Sequence, residues 1–115
     1  MRRIGTLAAL VGVLAAGFGR ATAQGSEGTL TIGRLHYDGG GDWYANPSSL
    51  PNLLQAIRTR TSLRAAPTEK VVTLGSDDLW NVPYIYMTGH GTVHWSDSDI
   101  QTLRRYLRQG GFLHV

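Results

Sequence analysis

Cysteine is absent from all 115 residues. That excludes a thiol nucleophile, a thiolate metal ligand, a disulfide framework and a lipid carried on cysteine within this chain. A serine nucleophile elbow is missing too, since no G-x-S-x-G occurs. So is the G-x-G-x-x-G dinucleotide fingerprint: the one glycine run, Gly39-Gly40-Gly41, continues into Asp42 and Trp43, where a phosphate would need an open helix N-terminus. There is no basic patch interleaved with aromatics, which disfavours nucleic acid as a partner.

The formal charge of +3, from 11 basic and 8 acidic residues, is an excess with one source. Arg2 and Arg3 precede an apolar stretch from Ile4 to Gly19, and Ala21-Thr22-Ala23 offers a small-x-small cleavage pattern before Gln24. The apolar run is shorter than the ~20 residues of a membrane span, so residues 1–23 read as a cleaved signal peptide and the protein as secreted or periplasmic. The Arg pair alone does not separate general from twin-arginine export. Losing Arg2, Arg3 and Arg20 with the signal leaves 8 basic against 8 acidic residues, a net charge of zero. No stable membrane span remains in the mature chain.

What is present is an alternation of strands and helices. After a polar linker, 24–28, TLTIGRLHY (Thr29–Tyr37) reads as a strand covered on both faces, with Leu30 and Ile32 on one and Leu35 and Tyr37 on the other. Ser48 or Ser49 would cap a helix whose stripe is Leu50, Leu53, Leu54 and Ile57, with Arg58, Arg60 and Arg64 at its solvated end and exit. KVVTL (Lys70–Leu74) and YIYMT (Tyr84–Thr88) are further strands, joined by a short turn of helix near Asp77. That join is short for a parallel crossover, which usually takes a dozen residues or more. Ser96 and Asp99 make a capping-box pair for a helix with Ile100, Leu103, Tyr106 and Leu107 inward, stopped by Gly110, and FLHV (Phe112–Val115) begins a fourth strand. The pattern predicts an α/β fold, a partial flavodoxin-like three-layer sandwich with a mostly parallel sheet, truncated after the fourth strand.

Ligands of such sheets bind beyond the carboxyl ends of strands where strand order reverses. Two loops leave such ends, DGGGDWYAN and TGHGTVHW, and a 2-1-3 strand order would set both on one crevice. The ligand-binding candidates are therefore Asp38, Asp42, Trp43, Tyr44, Asn46, Thr88 and His90. The glycines either aim Asp42 and the aromatic pair at a cleft or let Trp43 pack as a lid on the core. His90, between Gly89 and Gly91, would keep an accessible imidazole, with backbone N–H groups free for an oxyanion. His90 and His94 form H-x3-H, but the glycines and Val93 disfavour a helix and the zinc-protease glutamate is missing, so they are weak metal candidates. His36 and His114, within strands, read as structural. No cofactor is implied.

The series RLHYDGGGDWYANPSSLPNLL, YIYMTGHG and SDSDIQTLRRYLRQGGFL resembles the bacterial family of domain of unknown function 4159, over residues 29–115. The resemblance implies a flavodoxin-like sheet related to class I glutamine amidotransferases, of which residues 29–115 would be the N-terminal half. It implies no established activity, and it implies partners among exported or membrane-associated proteins. Two departures stand out: the family typically continues after the fourth strand with a pair of acidic residues and a further half-domain, where this sequence stops at Val115, and FLHV places His114 where an apolar residue is usual; the superfamily's thiol has no counterpart either. The expected function is that of an exported, non-catalytic ligand- or partner-binding module. The alternative is a hydrolase, metal-assisted or not, using His90 and Asp42.

Overall fold

The computed structural model describes residues 28–115. The signal peptide expected at 1–23 and nearly all of the linker expected at 24–28 lie outside the described residues. The elements are β1 (Ile32–Leu35), α1 (Ser49–Arg60), β2 (Lys70–Val72), a 3-10 turn (Asp77–Asn81), β3 (Tyr84–Tyr86), α2 (Asp97–Arg108) and β4 (Phe112–His114). All strand pairs are parallel and the order is β2-β1-β3-β4. The strands are shorter than their sequence runs, and no helix among the described residues is long and apolar enough to cross a membrane.

Alternation along β1 sorts two cores. Ile32 joins Leu50, Leu54 and Ala65 under α1, with Leu30 and Ile57 at the margin. Leu35 and Tyr37 join Val72, Leu79, Ile85 and Leu103 on the opposite face, beneath the 3-10 turn and α2. Burying Leu50 and Leu54 contributes about 1.5–3 kcal/mol each before chain entropy is subtracted. The inward stripes are narrower than their periodicity suggests. Leu53 is 42 % exposed, and Ile100 and Leu107 are exposed as well. Strands of three or four residues offer each helix a floor of only about two turns, so the flanking apolar positions overhang it.

The short crossover from β2 to β3 is real, and Gly33 explains how it fits. It must pass over β1, which lies between those strands. A Cβ on Gly33 would stand 3.0 Å from methyl groups of both Val72 and Val82. Without one, the link lies directly on β1, and Leu79 of the 3-10 turn is fully buried there. Tyr106 locks the far side by donating its hydroxyl to the Val82 carbonyl at 2.8 Å.

Helix capping divides as well. Ser96 accepts from the Asp99 N–H at 3.1 Å while the Asp99 carboxylate accepts from the Ser96 N–H at 2.9 Å, a full capping box. Such a cap is worth about 1 kcal/mol. Neither candidate caps α1 with its side chain: Ser48 has αR backbone and makes no cap bond, and Ser49 turns its hydroxyl back to the Asn46 carbonyl.

Candidate functional site

The two glycine loops do meet at the carboxyl ends of β1 and β3, but they are zipped to each other rather than spread around one crevice. The His94 N–H donates to the Asp38 carbonyl at 2.7 Å, that of Gly41 to Thr92 at 3.1 Å and that of Asp42 to His90 at 3.1 Å. This is an antiparallel ladder of main chain against main chain. It explains the glycines: a Cβ on Gly39 would lie 2.7 Å from the His94 nitrogen, and one on Gly89 would collide with Tyr37 Oη. Both residues also have positive φ, +112° and +136°.

Asp42 and His90 form the polar centre of the ladder. Asp42 Oδ1 accepts from the His90 N–H, and Oδ2 lies 3.4 Å from His90 Nδ1. The His90 side chain is 91 % exposed, so its imidazole reaches solvent as expected. Its backbone N–H, however, is taken by Asp42 and is not free for an oxyanion. The Asp42 carboxyl is held below its ordinary value of 3.8, chiefly by that N–H, against a smaller opposing effect of desolvation, with the His90 ring adding a lesser lowering. A carboxyl with a depressed folded pKa stabilises the fold above the unfolded value and loses that contribution as pH falls through the folded one. Asp42→Asn is therefore expected to be less stable than wild type at neutral pH. The difference should vanish as pH drops below about 3.8, the carboxyl's ordinary value; urea melts from neutral pH to strong acid check this. A gap persisting in strong acid would mean that the carboxylate charge is not what Asp42 supplies.

The other candidates separate. Asp38 is exposed and engages His94 only through its main chain. Trp43 is half-buried, stacks on His36 at 4.1 Å and packs against the α2-side core, the lid arrangement. His36 lies one residue beyond β1 rather than within a strand. Tyr44 stands edge-on to Trp43 and is 64 % exposed. Asn46 has φ +56° and gives its carbonyl to Arg34 and Ser49, so it builds the entry to α1. Thr88 gives its carbonyl to Tyr37 Oη at 3.0 Å, and with Gly89, Val93 and His114 it lines an open cleft of about 360 Å³ beside the ladder. That is within the range of small-molecule sites. His90 and His94 gain no third partner: among the described residues no three His, Asp or Glu side chains converge as a metal site.

Sequence reading missed Arg34. It is 3 % exposed, pairs Nε with Glu69 at 3.0 Å and donates Nη1 to the Ala45 carbonyl at 3.0 Å. It therefore ties the exit of the glycine loop to β1. The signal was available, because a period of two puts Arg34 on the same buried face as Leu30 and Ile32.

A parallel sheet ordered β2-β1-β3-β4, with α1 on one face and α2 on the other, is a partial flavodoxin-like three-layer sandwich, and its loops join at the switch point. The chain belongs to the family described as domain of unknown function (DUF4159), whose model matches residues 31–115. No curated protein matches it.

Proposed function

We propose that this domain is an exported, non-catalytic binding module, a glutamine amidotransferase-like sheet without the thiol. Its ligand sits over the joined loops, in the cleft lined by Thr88 and Gly89 and next to His90 in the chain. The observation that carries this reading is the Asp42–His90 pair. An almost fully exposed imidazole is oriented by a carboxylate at the switch point, with neither cysteine nor a nucleophile elbow in the chain. Such a pair presents one imidazole face to a partner without supplying an attacking group.

His90→Ala separates binding from folding, because the ladder uses only the main chain of His90. The variant is expected to melt like wild type. A fragment screen read by amide shifts should give hits at Thr88–Gly91 that the variant loses. Hits confined to other surfaces, or retained in full by His90→Ala, would end the proposal. The second reading, a hydrolase with His90 as base or metal ligand, draws on the same 3.4 Å approach of Asp42 Oδ2 to Nδ1. It requires zinc or another divalent ion to raise the melting temperature, or ester hydrolysis that is lost in His90→Ala.

A further inference from the structure

α2 leads back from the carboxyl end of β3 to the start of β4, so its last turns lie at the opposite end of the sheet from the glycine loops. There Arg104, Arg105 and Arg108, all exposed, line one open hollow of about 450 Å³ with Gln101 and Gln109. By the helical repeat this stripe falls on the side of α2 away from the buried Leu103 and Tyr106, the outer face of the sandwich. Positive charge at a helix C-terminus complements the helix dipole, which accounts for basic residues in the last turn. It does not account for three of them without a counter-charge. Among the described residues none of the three pairs with a carboxylate, and Asp78, on the link that carries Trp80, pairs with Lys70 at 2.8 Å instead. Neutral groups hold two of the three guanidinium groups. Arg104 donates Nη1 to Gln101 Oε1 at 2.9 Å, and Arg105 lies 4.6 Å over the ring of Trp80, itself 38 % exposed. Their charge stays uncompensated and faces outward.

We propose that this stripe of α2 is a docking surface for an acidic segment of a partner protein. Arginine forks engage carboxylates bidentately. Arg104 and Arg108 stand one turn apart, about 6 Å along the axis, close to the ~7 Å between same-side residues of an extended chain. No aliphatic residue lines the hollow, so the stripe has nothing to insert into a bilayer. The single aromatic beside it is already stacked by Arg105 and offers no platform for successive bases.

The test is a titration of the whole chain with a short alternating Glu-Ser peptide and, as a control, its Lys-Ser counterpart, read by proton–nitrogen NMR. The acidic peptide should move the Trp80 indole N–H, the Gln101 and Gln109 side-chain amides and the arginine Nε–H signals in a saturable way. The basic peptide should not. Binding should weaken steeply between about 0.01 and 0.15 M salt, as the screening length falls from about 30 to 8 Å. Arg104→Gln, Arg105→Gln and Arg108→Gln should each weaken it roughly two- to five-fold, the span of one exposed ion pair, and the triple variant should lose it. The single variants should melt like wild type, because glutamine is a good helix former and the sites are exposed. His90→Ala should bind the peptide unchanged, since His90 lies at the other end of the sheet. Peptide shifts that avoid α2, or that survive the triple variant in full, overturn the proposal. So does binding to phosphatidylglycerol vesicles or to oligothymidylate with no response to the acidic peptide, which would make the stripe a membrane or nucleic-acid contact.

Discussion

Arg34→Met should unfold at far lower denaturant than wild type, with a loss of about 3–5 kcal/mol, the range for removing one partner of a buried ion pair. The guanidinium is almost fully enclosed and its partner Glu69 is only 14 % exposed, so solvent screens the pair little. Its removal strands the Glu69 carboxylate and the carbonyls of Ala45 and Asn46, at 3.0 and 3.4 Å from the two terminal nitrogens. It also takes away the cation lying 5.8 Å over the Tyr86 ring. Arg34→Lys should not rescue the fold, because an ammonium cannot reach Glu69 and both carbonyls with the geometry of a planar fork. Combining Arg34→Met with Glu69→Leu should recover part of the loss, since an apolar pair can replace a buried ion pair once neither charge is stranded. Urea titrations of the three variants decide it. A single Arg34→Met loss under about 1 kcal/mol would mean that the pair behaves like a surface salt bridge and does not hold the loop to the sheet.

Gly89→Ala is the second large effect, at about 2–5 kcal/mol, from a backbone strained by positive φ together with overpacking. The added methyl would collide with Tyr37 Oη and meet both the carbonyl and the carboxylate of Asp42 at 2.9 Å. Tyr37 cannot simply withdraw, because its hydroxyl is bonded to the Thr88 carbonyl and its ring belongs to the core. Gly40→Ala is the matched control. Its φ of +86° carries a similar strain, but nothing lies within 4 Å of the new methyl, so about 1–2 kcal/mol is expected. Melting the two variants side by side isolates the packing of the ladder. Equal losses would show that backbone strain alone governs the loops and that their close approach is incidental.

The sequence by itself determined the layered α/β fold, because strand and helix periodicities are local and leave a readable record. The faces of β1 followed from Leu30 and Ile32 against Leu35 and Tyr37, and the capping box of α2 followed from Ser96 and Asp99. The family was legible for the same reason, in three contiguous motifs. Tertiary structure decided what the glycines are for. Whether Gly39 and Gly89 open a crevice or let two main chains touch depends on the spacing of loops 50 residues apart in the chain, by the numbering of those two glycines. No local pattern encodes that distance. The same holds for Arg34, whose partners Ala45 and Glu69 come from the glycine-loop exit and from the residue just before another strand. It holds too for Leu53, Ile100 and Leu107, which periodicity turned inward and which the short strands left uncovered. Periodicity states which side of an element is apolar; how much of that side is buried is set by the area of the neighbour it meets.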